Sequence, residues 1–539
     1  MGLVAVACGS PDEPEGEPWF VDVGPRSGVA FEHVVGVQRH FLFPEIAGSG
    51  VGLADVDGDG RPDLYAVQGG DLEQGPGDPG NALYLNRGGW RFDDVSAASG
   101  TDDRGYGMGC AFGDVDDDGR VDLYVTNVGP NALYCNRGEA RFEDTTAAAG
   151  VGHPGWGTSA AFLDLEADGD LDLFLTNYLV WTPAREIHCS SPHASTDYCG
   201  PNNYQAPAAD VLYRNEGGGR FRDVSAETGI GNAVGNGLGV ATGDFNGDGR
   251  IDVYVANDLM ANHLWLSQPD GTFVEDGLLA GCALDADGET EAGMGVLAFD
   301  VEDDGDLDLF MVHLEGETNT LYVNQGKHFR DGTAEMGLAA PSLSFTGFGV
   351  VQADLDHDGL RDLYVANGRV TQGRPIYRPD DLYAEPDQLF RGRAAGRFEE
   401  VLPRGGRAGS PAGNSRGLAL GDLDGDGDLD LALSRNDDRL ELLENRAADG
   451  HWVLLRVLMA SGRDALGATV VWDPDGSPRH RTVEASQGFC SSSDPRVHLG
   501  LGPEAAPREV EVRWPGGARE RFGPLEVNRE HELRRGAGR

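Results

Sequence analysis

Seven short stretches of this 539-residue chain carry acids at a spacing that suits a hard cation. The first reads Asp55-Val-Asp57-Gly-Asp59-Gly60-Arg61-Pro-Asp63. Its acids stand at positions 1, 3, 5 and 9, and a glycine at position 6 permits a tight turn because it has no Cβ to clash at positive φ. The second copy places Asp114, Asp116, Asp118 and Asp122 at those positions, and the third Asp164, Glu166, Asp168 and Asp172. The fourth has Asp244, Asn246, Asp248 and Asp252, and the fifth Asp300, Glu302, Asp304 and Asp308. The sixth has Asp354, Asp356, Asp358 and Asp362, and the seventh Asp422, Asp424, Asp426 and Asp430. Calcium takes six to eight oxygens, and a kinked loop lets alternate side chains and one backbone carbonyl converge on it. That carbonyl is expected from the seventh position: Arg61, Arg120, Asp170, Arg250, Asp306, Leu360 and Asp428. Up to seven calcium ions are therefore expected. The turns with Asn246, Glu166 and Glu302 depart furthest from the pattern.

The twelfth position, where an EF-hand needs a bidentate Glu, is Ala66, Val125, Leu175, Val255, Met311, Val365 and Leu433. EF-hands are excluded, and the ninth-position acid closes the site instead. Other motifs lose their chemistry in context. Gly413-Asn-Ser415-Arg-Gly417 matches a nucleophile elbow, but it leads into the Asp422 turn rather than a helix. Gly105-Tyr-Gly-Met-Gly is followed by an acidic turn where a dinucleotide site needs a helix. His188 and His193 share a loop without the spacing of a zinc motif. No acid, His or Arg constellation is set apart from the acidic turns, so no catalytic residue is assigned and a non-enzymatic role is expected.

The elements that carry these turns also repeat. A Gly-rich segment precedes each, as in Gly105–Asp114, and a β-branched or aromatic run follows, as in Asp122-Leu-Tyr-Val-Thr-Asn127. Next come segments such as Asn131-Ala-Leu-Tyr-Cys-Asn136 and Arg141-Phe-Glu-Asp-Thr145. Alternation and turn residues mark all four as short strands. Four strands in each of seven units predict an all-β, seven-bladed β-propeller over residues 19–447. The seventh unit lacks its fourth strand, and Trp19-Phe20-Val21-Asp22-Val23 resembles it. The N-terminal segment is expected to close the ring beside the Leu440 strand. Two insertions, Tyr178–Ala209 and Arg369–Asp387, either bind a partner or cap an apolar end of the ring. From about Gly450 the acidic turns stop and basic residues rise. Residues 448–535 read as a separate, small antiparallel β domain.

Net charge is −48, which argues against direct binding of a nucleic-acid backbone. Twenty-seven carboxylates and one Asn fill the four side-chain ligand positions. Without metal these acids repel one another, so metal binding should couple to folding. Of the seven cysteines, Cys110 and Cys135 fall in predicted strands as small core residues. Cys189 and Cys199 are expected to form a disulfide in an oxidising compartment and to stay as two thiols in a reducing one. Leu3-Val-Ala-Val-Ala-Cys8 is similar to the tail of a lipoprotein signal, with lipidation at Cys8 and an acidic tether up to residue 18. Only seven residues precede Cys8 and no basic region is among them, so the expectation is either a truncated signal with a misplaced start or an accidental match. No apolar run approaches the roughly 20 residues of a membrane helix.

The repeats resemble the FG-GAP/VCBS repeats of integrin-α-type propellers, in which a calcium loop joins the first two strands of a blade. The C-terminal part resembles the ASPIC/UnbV domain. Gly462-Arg-Asp464-Ala-Leu-Gly467, Arg496-Val-His498-Leu-Gly500-Leu-Gly502 and Val510-Glu-Val-Arg-Trp514-Pro-Gly-Gly517 carry that resemblance. The combination is similar to the cartilage acidic protein-like family. It implies an extracellular, periplasmic or outer-membrane calcium-binding protein without established catalysis. The expected role is a binding or adhesion scaffold for a protein or glycan. The competing expectation is a propeller hydrolase or lyase working at the channel mouth.

Overall fold

A computed structural model describes residues 16–36, 40–374, 376–473, 476, 478–503 and 509–539. Cys8 and most of its tether lie outside these residues. The chain is built almost wholly of short strands, and each acidic turn joins the first two strands of a four-stranded antiparallel sheet. In the second unit the strands are Gly107–Gly113, Asp122–Asn127, Ala132–Asn136 and Phe142–Asp144. Gly113 pairs with Asp122 across the turn, and Gly107 pairs with Asn127 at the far end. Seven such blade-like sheets are present among the described residues. Their first strands lie side by side in chain order, and that of the seventh unit, Ser415–Gly421, returns to that of the first, Val51–Ala54. The backbone records this closeness: Gly50 N–H donates to Met108 O at 2.7 Å and Gly417 N–H to Ser49 O at 3.1 Å. A Cβ on Gly417 would stand 2.7 Å from Gly50 Cα, which explains why the first strands are rich in glycine.

The seventh sheet takes its fourth strand from the chain's start. Phe20–Asp22 runs antiparallel to Glu441–Asn445, with Phe20 opposite Asn445. Phe20 is buried, meets the Tyr364 ring edge-on at 5.7 Å, and follows Trp19, whose N–H donates to Gly406 O at 2.7 Å. Early and late segments are therefore joined by a ladder and by a core side chain.

The C-terminal part differs from its expected form in two ways. Thr469–Trp472, Arg479–Thr482, Val510–Arg513 and Arg519–Phe522 form one antiparallel sheet. In the other, His451–Leu458 lies between Val497–Gly502 and Arg529–Arg534, and its pairing with the latter is parallel. The chain crosses from one sheet to the other before its last strand, which allows a parallel entry. Nor is this part separate. Val453, Leu455, Val470 and Trp514 share one hydrophobic cluster with Val115, Leu171 and Leu175 of the second and third units. The segment from Gly488 to Asp494 enters the ring itself. Gly488 and Val296 exchange backbone hydrogen bonds at 2.9 and 3.3 Å, Cys110 N–H donates to Cys490 O, Ser492 N–H donates to Val51 O, and Asp494 N–H donates to Leu420 O. Phe489 is wholly buried against Phe348 at 5.1 Å.

Replacing Phe20 by Ala should cost about 3–5 kcal/mol, the usual range for a buried Phe. Chemical denaturation followed by tryptophan fluorescence measures this; a loss under about 1 kcal/mol would mean the N-terminal strand does not hold the ring closed.

Candidate metal turns and the domain that covers them

Each acidic turn is shaped by its own carboxylates before any cation is considered. The sixth-position glycines have φ between 82° and 102°, a region costly for residues with a Cβ. The first-position acid accepts the N–H of that glycine in every unit, for example Gly119 to Asp114 Oδ2 at 2.8 Å and Gly359 to Asp354 Oδ2 at 2.8 Å. The ninth-position acid accepts two backbone N–H groups. In the second unit these come from Val115 at 2.9 Å and from Asn136, at the end of the third strand, at 2.7 Å. The same pair of bonds recurs at Asp63, Asp172, Asp252, Asp308, Asp362 and Asp430. The ninth acid thus staples the turn to the third strand.

Positions 1, 3 and 9 converge in four units. Asp55, Asp57 and Asp63 bring ligand oxygens within 4.8 Å of one another, as do Asp114, Asp116 and Asp122. So do Asp354, Asp356 and Asp362, and Asp422, Asp424 and Asp430. Asp116 Oδ1 and Asp354 Oδ1 are buried without a hydrogen-bond partner. Three hard carboxyl oxygens in each group, with an orphaned acceptor in two of the groups, fit a divalent cation such as calcium. The three remaining turns are those with Glu166, Asn246 and Glu302. Glu166 turns to Arg214 at 2.6 Å and Glu302 to Arg330 at 3.7 Å, while Asn246 Oδ1 accepts the Asp248 N–H at 3.0 Å.

The fifth-position acids stand apart from these groups. Asp59, Asp118, Asp168, Asp248, Asp304, Asp358 and Asp426 each accept the N–H of the seventh residue. Arg61, Arg120 and Arg250 also turn their guanidinium groups onto the same carboxylate. Third-position acids meet donors from outside the turn: Asp57 meets Arg87 at 3.3 Å, Asp356 meets Arg391 at 2.5 Å, and Asp424 accepts from Trp90 Nε1 at 2.8 Å.

Two sets of residues escaped the motif. One is the Asn that ends the third strand. Asn136 Nδ2 donates to Val56 O of the preceding unit at 2.9 Å, and Asn86, Asn215, Asn324 and Asn445 repeat this bond. It recurs visibly in the sequence, but its partner lies one sheet away. The other set is basic and comes from the C-terminal part, which sits on the turns. Arg456 lies 3.4 Å from Asp55, Arg463 3.8 Å from Asp164, His480 3.3 Å from Asp300 and Arg481 3.6 Å from Asp303.

The insertions lie at the opposite ends of the strands and pack together. Asp197 accepts the Gln372 N–H at 2.8 Å and the Tyr383 hydroxyl at 2.9 Å. Phe43 stacks on Tyr204 at 5.1 Å, and Trp156 meets Tyr178 and Trp181 edge-on. Cys189 and Cys199 are joined by a disulfide. Cys110 and Cys135 are buried free thiols, and His188 and His193 are exposed. Ser415 is fully buried at the start of a strand, where a nucleophile could not meet substrate.

An FG-GAP-like repeat profile matches residues 55–125, 114–175, 198–255, 244–311 and 300–365, more than half the chain. The chain belongs to the FG-GAP-like repeat family. An ASPIC and UnbV profile matches residues 459–539 of this FG-GAP protein. It is 30% identical over 306 residues to cartilage acidic protein 1 of Homo sapiens, covering 55% of this chain and 43% of that protein. The Xenopus tropicalis protein is 29% identical over 308 residues, covering 55% and 44%. The matched region thus spans less than half the length of these relatives. Among solved structures, the BP39L lectin of Burkholderia pseudomallei aligns with a TM-score of 0.44 at 12% identity, covering 75% of this chain and 98% of that one. A Bacillus licheniformis rhamnogalacturonan lyase aligns with a TM-score of 0.39 at 12% identity, covering 75% and 72%.

Burial raises the ninth-position acids: Asp122 and Asp252 to about 7, and Asp63, Asp172 and Asp308 to about 8. A carboxyl whose folded pKa exceeds its unfolded value of about 4 binds its proton more tightly when folded. Its contribution is complete below pH 4 and is lost as pH rises through 8. Metal-free protein should therefore melt at a lower temperature at pH 8.5 than at pH 5.5, and calcium should raise the value most at the higher pH. Scanning calorimetry in chelator and in calcium checks this. Metal-free stability that increased with pH would contradict it.

Proposed function

We propose that the chain is an exported, calcium-binding, seven-bladed β-propeller that acts without catalysis as a rigid scaffold for a protein or glycan of the cell exterior or envelope. The observation that carries this is the convergence of three aspartates in four separate turns, with buried oxygens at Asp116 and Asp354 left unpartnered. Calcium there would neutralise the clustered charge and stiffen the hairpins between first and second strands. Up to seven ions are proposed, with the first, second, sixth and seventh turns filling most tightly. The propeller is assigned to residues 19–447 and the ASPIC/UnbV-like part to residues 448–535.

The proposed binding surface is the end formed by Tyr178–Ala209 and Arg369–Asp387. There Val180, Ile187, Ile376 and Tyr377 are exposed beside buried aromatic rings. The Cys189–Cys199 disulfide supports an oxidising, extracytoplasmic location. A lipid anchor at Cys8 is proposed as the means of retention, and no described helix is long and apolar enough to cross a membrane. The competing enzyme needs an accessible channel mouth, whereas the segment around Phe489 occupies the axis at the end bearing the acidic turns.

Calorimetric titration of metal-free protein should resolve a tight class of four calcium sites, and Asp116→Ala should remove one of them. Four sites unchanged in that variant would detach the motif from the metal. Immobilised protein should capture a defined envelope protein or glycan in calcium, and trimming the exposed side chains of the two insertions should weaken capture at least tenfold. Turnover of a polysaccharide or ester by the same preparation would instead favour the enzyme.

A further inference from the structure

In four units the second strand ends on an asparagine whose amide ties the following loop. Asn127 donates to Pro130 O, Asn177 to Ala209 O, Asn257 to Ala261 O and Asn367 to Pro386 O, all at 2.9–3.0 Å. The fifth unit has His313 at this place, and its Nδ1 makes the equivalent bond to Thr318 O at 2.9 Å. A carbonyl only accepts, so in the neutral ring the proton sits on Nδ1 and Nε2 carries a lone pair. That nitrogen is buried without a hydrogen-bond partner and lies 3.6 Å from Glu291 Oε2. We propose that His313 and Glu291 hold a first-row transition-metal ion such as zinc, at the end of the ring opposite the acidic turns. The site is separate from those turns and does not rest on the scaffold reading.

The separation of the two atoms selects what stands between them. A direct hydrogen bond would bring them to about 2.7–3.0 Å. A bridging water about 2.8 Å from each would spread them to roughly 4.4 Å. Two ligands about 2.0–2.2 Å from one tetrahedral ion stand roughly 3.4 Å apart, the closest of the three to the observed spacing. The second unit shows the contrast. There Asn127 turns its amide N–H toward Asp103 Oδ2 at 3.5 Å, donor to acceptor. In the fifth unit an acceptor faces an acceptor.

The surroundings are negative. The charged groups acting most strongly on Glu291 are Glu317, Asp285 and Asp331, all acids. Asp258, bridged to Ala292 through the backbone, keeps Oδ1 buried without a partner. Arg369, a basic side chain nearby, is engaged by Glu315 and Glu385 instead. Burial lowers the pKa of His313 to about 4, so the ring stays neutral, the form in which imidazole binds metal. Calcium prefers oxygen alone, whereas imidazole with carboxylate suits zinc and its neighbours. Metal ligands need support from behind. His313 has it from Thr318 O, and Glu291 from the Thr320 hydroxyl, which donates to Oε2 at 2.9 Å. Glu317 Oε2 accepts the N–H groups of Ala292 and Leu314, the residues that follow the two ligands, at 3.0 and 3.4 Å. An ion here would pin the segment before the first strand to the loop between the second and third.

The test titrates zinc into the full chain in saturating calcium, which occupies the acidic turns. Calorimetry should show a zinc site that His313→Asn and Glu291→Gln each weaken about tenfold or more. His313→Asn installs the residue that four sister units carry, and its melting temperature in calcium checks that it folds. The unaltered protein supplies a second readout. Anomalous scattering at the zinc edge, from crystals grown in calcium and zinc, should place an ion about 2.0–2.1 Å from His313 Nε2. Absence of any zinc site in calcium, undiminished zinc binding by folded His313→Asn, or anomalous peaks at exposed histidines alone would each overturn the proposal. Calcium titration and partner capture are read without zinc, so such a failure would leave the scaffold reading standing.

Discussion

Gathering carboxylates into one tight turn is unfavourable in water and more so where the turn is half-buried, and this chain does it seven times. The ninth-position aspartates show how the cost is contained. Each gives both oxygens to backbone N–H groups, one from its own turn and one from the end of the third strand. The repulsion is thereby held inside a hydrogen-bonded frame that fixes the hairpin whether or not an ion is present. Those bonds use one face of each ninth acid, and the remaining oxygens of positions 1 and 3 face one another in four turns. A cation would complete that arrangement, since it would neutralise the clustered charge and give Asp116 Oδ1 and Asp354 Oδ1 a partner.

The frame also sets the relation between neighbouring sheets. Asn136 and its counterparts lend their main-chain N–H to one turn and their side-chain amide to the turn of the preceding unit. In five units neighbouring turns are therefore linked by a polar bond as well as by apolar packing, while Ser267 holds this position in the fourth. In the sixth unit Gly392 replaces this Asn. A Cβ there would stand 2.2 Å from Arg361 O, so the position has no room for the amide. The Arg361 side chain instead reaches Asp300 O of the preceding unit, and the same guanidinium meets His480 O of the C-terminal part. One departure from the repeat thus becomes a point of attachment.

Most of the ring could be read in the sequence because its signals are local. A glycine at position 6, alternating apolar residues and a fixed order of four segments specify hairpins without reference to distant residues. The strand supplied by Phe20 was legible for a related reason: a gap at one end of the text matched a surplus at the other. What was not legible was non-local or disguised. Arg519–Phe522 and Arg529–Arg534 are strands of alternating charge, Arg-Glu-Arg-Phe and Arg-Glu-His-Glu-Leu-Arg, at sheet edges where polar side chains suffice. The entry of Phe489 into the axis leaves no periodic trace. The contacts of Arg456, Arg463 and His480 with acidic turns depend on placing a basic surface over an acidic one. Net charge alone does not show that. The fifth-position acids share the motif of their neighbours, yet their local bonds with the seventh N–H place them outside the converging groups.

The departures from the motif are not scattered around the ring. Glu166, Asn246 and Glu302 belong to three consecutive units, and the four uniform turns form the rest of the circle. A glutamate carries its carboxylate one methylene further, and here that reach is used for ion pairs with Arg214 and Arg330. In the same sector Arg463 stands near Asp164 and His480 near Asp300, so basic side chains partly answer the first-position acids. Basic contacts occur in the other four units as well, where Arg456 lies near Asp55, Arg87 near Asp57 and Arg391 near Asp356. What sets the three consecutive units apart is that the oxygens of positions 1, 3 and 9 converge in the other four, and it is over these three that a polar cavity remains beneath the C-terminal sheets.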